Sequence, residues 1–549
     1  MFKYIAFFGV LIVFLMLCFV SCQAQNAEEN IQNQQKKRQT PYNPKYEFRG
    51  VWLTTVHHID WPSRRKMSVN EQKNELLLLF DTFQKAKLNA VFGQIRPSGD
   101  AFYPSELEFW SEIVSGKQGK PPTPYYDPTA MMIEEAHNRN MEFHAWFNPY
   151  RAVTNLSWSD VHPQHLTKLH PEWFFDYGGR RFFNPGVPEV RQHIVAVIVD
   201  VIKRYDVDGV HFDDYFYPYK INGETLKDDE TYQKYGKVFG SKEEWRRNNI
   251  DMLVKSVHDS LQKYKPHIKF GVSPVGAWRN KDIDVRGSNT RVGQPAYDYL
   301  YADTRKWLEL GWVDYMAPQF YWSTKSKYGH YETLVNWWHD NAHGRHIYSG
   351  QSTIKLGDTA DDLTWTNPNE FGSQMQINRK YEQVKGSIFY SGRSFLKNPM
   401  RFVDTLNNNY YKYPSLIPAM AWKDSIPPNQ PDSLRVKLME DGAFLEWNAP
   451  QPASDNEKAT YYVIYRFDNY QNSNQNSNQI DNSNKENVNL QNHKNIIATT
   501  RQTTFKDKNI ELSQKYFYVV RAVDRQHNES KNATSLLFIS DKKLYSGKP

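Results

Sequence analysis

From residue 48 onward, short apolar runs alternate with longer segments of helical period. The runs cover residues 50–56, 90–96, 142–148, 208–214, 269–274, 313–319, 346–351 and 387–391. Between them, 70–87 places Leu76, Leu79, Phe80 and Phe83 on one helical face. Asp127 followed by Pro128 predicts an N-cap with proline at the first helical position. Pro188 opens a third helix whose Ile194, Val197, Ile198 and Val201 keep helical spacing, and further helices are expected at 242–265, 302–310, 331–341, 369–384 and 399–406. Strand–helix alternation repeated eight times predicts an α/β fold, a (β/α)8 TIM barrel with enlarged loops, over residues 46–412. An open doubly wound sheet would carry a glycine-rich phosphate turn after its first strand, where this chain has Trp52-Leu53-Thr54-Thr55.

Beyond Pro427 and Pro428 the texture changes to strands without helices, at 433–438, 443–447, 461–466 and 516–524. Residues 413–430 read as a linker and 431–541 as a second domain, interrupted by an Asn/Gln/Ser-rich insertion at about 472–495 that is expected to be a disordered loop. Trp447, the Tyr461-Tyr462-Val463-Ile464-Tyr465-Arg466 run and the strand opening at Tyr516 resemble an all-β, immunoglobulin-like fibronectin type III sandwich, with Tyr516 at the tyrosine corner. No catalytic cluster appears there, so the domain is expected to act as a spacer or to dock envelope proteins or glycans.

At the other end, a positive start through Lys3 precedes an apolar stretch from Tyr4 to Ser21. Ser21 followed by Cys22 resembles a lipoprotein signal, with Cys22 lipidated. A retained transmembrane anchor is the alternative, but the polar Gln23 and Gln25 favour cleavage. Residues 23–45 then form a flexible tether, and the expected location is the bacterial cell envelope, attached to a membrane by lipid. Both cysteines, Cys18 and Cys22, lie in the leader, so the mature domains hold neither a disulfide nor a Cys metal site. The net charge of +7 is scattered, its densest run being Lys36, Lys37 and Arg38, which argues against a nucleic-acid partner. Aromatics at 15% suit sugar-stacking faces as well as core volume.

A barrel of this kind does its chemistry at the C-terminal ends of its strands. In the fourth run, apolar Val210 and Phe212 face the helices, so alternation sends His211 and Asp213 inward, and Asp214 follows where the strand breaks into its loop. Two carboxylates this close cannot both ionise freely, and glycosidic cleavage needs one protonated acid beside a second group that assists the anomeric centre. Asp213 and Asp214 are therefore the catalytic candidates. The other strand ends supply a substrate-binding set: Trp52; Gln94, Arg96 and Asp100; Asn148 and Arg151; His211, Tyr215 and Tyr217; Trp278; Gln319, Tyr321 and Trp322; Tyr390 and Arg393. His57, His58 and Asp60 lack partners at metal-ligand spacing, and neither a metal nor a cofactor is expected. The chain has no Gly-x-Ser-x-Gly elbow and no Walker loop.

Phe48-Arg49-Gly50-Val51-Trp52, Gln94-Ile95-Arg96-Pro97, Ala145-Trp146-Phe147-Asn148-Pro149-Tyr150-Arg151, the run from Asp208 to Pro218 and Ala317-Pro318-Gln319-Phe320-Tyr321-Trp322 resemble the glycosyl-hydrolase-like family 10 of bacterial envelope proteins. The resemblance spans residues 45–410 and implies a barrel hydrolase acting on glycans, with peptidoglycan strands stripped of stem peptides as one substrate associated with the group. The adjacent aspartates also resemble the pair of some N-acetylglucosaminidases, which implies that Asp213 orients the substrate's acetamide as internal nucleophile and Asp214 is the general acid. A direct nucleophile at Asp213, with the acid at Asp100, Asp282 or Asp284, is the mechanistic rival. Non-catalytic glycan binding and metal-dependent deacetylation are the competing functions. The first would need the aromatics but not the aspartate pair, and the second a His-rich strand-end site.

Overall fold

The computed structural model describes residues 43–360, 362–468, 489–511 and 514–539. The leader with Cys22, the tether up to residue 42 and most of the 472–495 insertion lie outside the described residues. Eight parallel strands close into a barrel: β1 (Phe48–Leu53), β2 (Ala90–Arg96), β3 (Glu142–Phe147), β4 (Gly209–Phe212), β5 (Lys269–Val272), β6 (Tyr315–Met316), β7 (His346–Ser352) and β8 (Val384–Tyr390). Each pairs with its sequence neighbours, and β8 returns to β1, with Val51 opposite Phe389. All eight coincide with the apolar runs of the sequence.

The helices follow the caps that the sequence announces. Val69–Lys85 begins at a capping box formed by Ser68 and Glu71 and buries Leu76, Leu79, Phe80 and Phe83. Pro128–Asn138 starts with the Asp127 carboxylate accepting from the Ala130 N–H. These faces meet the outward side chains of the strands, Val51, Val91, Phe143, Val210 and Phe212 among them, in the main core. Each such side chain contributes about 1.5–3 kcal/mol on burial. Among the described residues, no helix is long and apolar enough to cross a membrane.

Two connections depart from the expected outline. The stretch between β3 and the Pro188–Arg204 helix folds into a three-stranded sheet, with Arg180–Phe183 between Arg151–Val153 and Phe174–Tyr177. Residues 413–430 are not a free linker: Ile417 and Met420 pack with Phe48, Phe92 and Tyr348 inside the barrel, because the lumen needs apolar closure at its N-terminal end.

The C-terminal part is a sandwich of two antiparallel sheets. One holds β9 (Asp432–Met439), β10 (Gly442–Asn448) and β13 (Thr504–Asp507); the other holds β12 (Ile496–Thr500), β11 (Tyr461–Asp468), β14 (Lys515–Val523) and β15 (Thr534–Ile539). Leu445 and Trp447 meet Tyr462, Ile464, Tyr518 and Val520 between them. The Tyr516 hydroxyl accepts from the Glu511 N–H at 2.6 Å, tying the start of β14 to the chain just before it. Residues 524–529 run beneath the barrel, where Gln526 donates to the His267 carbonyl (2.7 Å) and Glu529 pairs with Lys45 (2.6 Å).

Candidate active site

At the C-terminal ends of the strands lies a cavity of about 250 Å³. It is lined by Trp52, Gln94, Arg151, Asp213, Asp214, Tyr215, Gln319, Tyr321 and Tyr390, together with Thr54, Val56, His57, Ile59, Trp146, Arg180 and Ser273. The two aspartates reach it by the route that alternation predicts. Val210 and Phe212 join the outer core, His211 lies in the lumen, and Asp213 and Asp214 follow as β4 ends.

The two carboxylates have separate supports. Asn148 Nδ2 donates to both oxygens of Asp213 (3.0 and 2.9 Å), and the Trp146 indole donates to Oδ2 at 3.2 Å. Asn148 is itself held, because its Oδ1 accepts from the Arg151 N–H at 2.8 Å. Asp214 takes Gln319 Nε2 at 2.9 Å and the Tyr219 hydroxyl. Burial pushes Asp213 up to about 7; Arg151 opposes the rise and Asp214 adds to it. Burial also raises Asp214, against the hydrogen bonds from Tyr219 and Gln319. Burial is the first cause for both, and it leaves Asp213 partly protonated near neutral pH.

Around them, Tyr321 and Tyr390 stack at 5.9 Å, and the Arg151 guanidinium lies 4.7 Å from the Tyr215 ring centre. Arg151 donates to the Pro97 carbonyl at 3.1 Å. Arg151 and Arg180 both line the cavity, and Arg151 acts on both aspartates through its charge. A larger groove of about 780 Å³ is lined by Tyr177, Lys220 and Asp282 among others. Tyr177 is the hairpin partner of Arg180, which lines the smaller cavity.

Other expected binding residues are engaged elsewhere. Arg96 is buried and ion-paired to Glu108 (Nε 2.7 Å, Nη2 2.5 Å), and it also donates to the Asn148 carbonyl at 2.6 Å, bracing the loop after β3. Asp100 is buried away from the cavity lining. His211 lies beneath the cavity. Tyr217 packs on Tyr301 at 5.0 Å, and Trp278 stacks on Trp337 at 5.8 Å while donating to Asp303. Trp322 covers Gly276 and Gly329. Arg393 gives its backbone N–H to Asp60, which ties the β1 and β8 loops together through Thr54 and Ser391. Of the rival acids, Asp284 is held well below the usual carboxylate range by Arg286, and Asp282 belongs to the neighbouring groove.

Arg180, Tyr219 and Ser273 were not singled out from the sequence. Arg180 arrives on the inserted sheet and Tyr219 from the loop after β4, beyond the reach of strand alternation. Trp146 was readable as inward-facing from its parity with His144 and Asn148.

A closed eight-stranded barrel with two adjacent buried carboxylates at its mouth is the arrangement of a (β/α)8 glycoside hydrolase. Known protein sequences agree. Residues 47–367 match glycosyl hydrolase-like 10, and the chain belongs to that family. It is 41% identical over 493 residues to the glycosyl hydrolase YngK of Bacillus subtilis, covering 88% of this chain and 92% of that one. It is 36% identical over 413 residues to the glycosyl hydrolase DigH of Escherichia coli K12, covering 71% and 93%. Among solved structures, the glycoside hydrolase domain of PgaB (BpsB) from Bordetella bronchiseptica aligns over 66% of this chain and 98% of its own, at 13% identity and a TM-score of 0.42.

Proposed function

We propose that this enzyme cleaves an N-acetylhexosamine-containing envelope glycan, peptidoglycan strands freed of stem peptides, using the substrate's acetamide as internal nucleophile. The observation that carries the reading is the separate support of the two aspartates. Asp213 is fixed by Asn148 on both oxygens and by Trp146 on Oδ2, and its Oδ1 has a further lone pair to accept the acetamide N–H. Asp214, raised by burial as well, is the general acid that protonates the leaving oxygen, and Gln319 and Tyr219 stabilise the anion left behind. Trp52, Tyr321 and Tyr390 offer ring faces to the sugar. Arg151 and Arg180 suit the free lactyl carboxylate that stem-peptide removal exposes.

The test is reducing-end release from purified, peptide-free glycan strands, with a thiazoline inhibitor added. Release with tight inhibition supports the reading; release without inhibition favours Asp213 as a direct nucleophile; no release removes this substrate. We also infer that Cys22 is lipidated and anchors the enzyme in the cell envelope. Metabolic labelling with palmitate, lost in Cys22→Ala, is the expected result, and undiminished labelling would contradict it. The seven sandwich strands and the Tyr516 hydrogen bond support a fibronectin type III reading of the C-terminal domain.

A further inference from the structure

A line of hydrogen bonds runs through the barrel lumen from the catalytic cavity to the floor, and donor chemistry sets its direction. The Trp52 indole only donates, so its 3.1 Å contact makes His211 Nε2 the acceptor. His211 is then neutral, with its proton on Nδ1 facing the Tyr315 hydroxyl at 3.2 Å. That hydroxyl donates to His144 Nδ1 at 2.9 Å, which leaves the His144 Nε2–H for Glu142 Oε2 at 2.9 Å. Ser273, which lines the cavity, places its hydroxyl 3.0 Å from His211 Nε2 and donates to the Phe212 carbonyl at 3.3 Å. Two glycines make the room: a Cβ on Gly209 would stand 2.2 Å from His144 Nδ1, and one on Gly271 2.1 Å from the Tyr315 ring.

The line ends on a residue of the sandwich. His527 Nε2 lies 2.6 Å from Glu142 Oε1, and its Nδ1 lies 3.1 Å from the Tyr461 hydroxyl. Lys269 Nζ lies 3.1 Å from His527 Nε2, but a bare nitrogen would be repelled at 2.6 Å from a carboxylate oxygen. Nε2 therefore carries the proton, Nδ1 accepts from Tyr461, and the Lys269 ammonium closes on Glu142. His527 holds this place at a backbone φ of +69°, in the left-handed region that glycine, asparagine and histidine visit most readily.

We propose that His527 is a positioning residue for the active site. The C-terminal sandwich forms the floor of the catalytic unit, and its imidazole fixes Glu142 so that the line through His144, Tyr315 and His211 sets Trp52 and Ser273 at the base of the cavity.

Full-length variants test this by kcat and KM on peptide-free glycan strands, and by 15N spectra of histidine-labelled protein, which read tautomers without substrate. His527→Ala is expected to lower kcat about tenfold with KM changed less than about twofold. His527→Gln, whose Nε2–H still reaches Glu142, restores most of the loss. Tyr315→Phe breaks the line midway, and the double variant loses no more than the worse single, whereas independent distant sites multiply their effects. Arg525→Ala removes the Arg525–Asp206 pair (2.7 Å) at the same domain contact and leaves kcat unchanged. In the spectra, the single tautomers of His144 and His211 become mixtures in His527→Ala. If that variant fails to fold, His527→Asn, suited to the backbone but too short for Glu142, takes its place. Multiplicative losses, no rescue by glutamine, or wild-type kcat with unaltered histidine signals would overturn the proposal. The kinetic arm rests on the proposed substrate. A wild type that releases no reducing ends, with spectra that respond as stated, removes that substrate and leaves this inference standing.

Discussion

Glu142 at the floor of the barrel and Asp213 at its mouth are equally buried, each 4% exposed, yet burial leaves them in opposite charge states. Burial alone would raise Glu142, but Lys269 and His527 outweigh it and hold the carboxyl well below its usual range. At the mouth, burial prevails: Asp213 climbs to about 7, because Arg151 offsets only part of the cost and Asp214 adds to it. Partnering rather than depth decides which carboxyl keeps its proton. At the floor the buried charge is paired; at the mouth it is only partly compensated, which keeps a carboxyl there in its protonated form nearer to neutral pH.

The largest expected effect falls at the mouth. Asp213→Asn and Asp214→Asn each lower kcat by at least about a hundredfold in a reducing-end assay; near-normal turnover in both would remove the pair from the mechanism. Stability reverses the ranking. Glu142→Gln strips the charge from a buried pair and is expected to cost about 3–5 kcal/mol in denaturant titrations. Asp213→Asn removes an under-paired buried charge and leaves stability at pH 8 unchanged or higher.

The pH dependence follows with the same opposition. Asp213 rises from 3.8 to about 7 on folding, so it destabilises the native state progressively as pH climbs through that window. Glu142 is depressed below 4.5, so its stabilisation is complete above that value and is lost as pH falls beneath it. Melting curves of the wild type and the two variants between pH 3 and pH 8 check both signs, each variant flattening its own window.

A smaller effect is expected from Gln319→Leu. Losing the 2.9 Å donor to Asp214 destabilises the anion, lowers kcat about tenfold and moves the alkaline limb of the pH–rate profile upward. A downward move would contradict this assignment. The smallest effect belongs to Arg180→Ala, which is expected to raise KM about threefold on strands with free carboxylates. On carboxyl-reduced strands KM should not change; an equal rise on both would remove Arg180 from carboxylate recognition.

The comparison of mouth and floor also explains what the sequence could reveal. All eight barrel strands were legible, because strands covered by helices outside and filled by side chains within are built from compact apolar runs. Asp213 and Asp214 were legible through the parity of Val210 and Phe212. Parity says inward but not how high. His211 and Arg96 point inward from barrel strands, yet one belongs to the lumen line and the other to a pair with Glu108. Tyr217, Trp278, Trp322 and Arg393 follow strand ends, but their loops carry the side chains away from the cavity. Arg180 and Tyr219 depend on long loops whose course is set by tertiary packing, and His527 reaches the floor from a domain far away in the chain. None of these left a periodic signal.

The protonation of the aspartate pair is the property on which acid catalysis at the barrel mouth depends. Selective 13C labelling of aspartate carboxyls, followed through a pH titration and assigned with Asp213→Asn and Asp214→Asn, reads it without substrate. One carboxyl of the pair should still carry its proton at pH 6 and titrate near 7. Two carboxyls that both ionise below about pH 5, in the ordinary range for aspartate, would contradict the account.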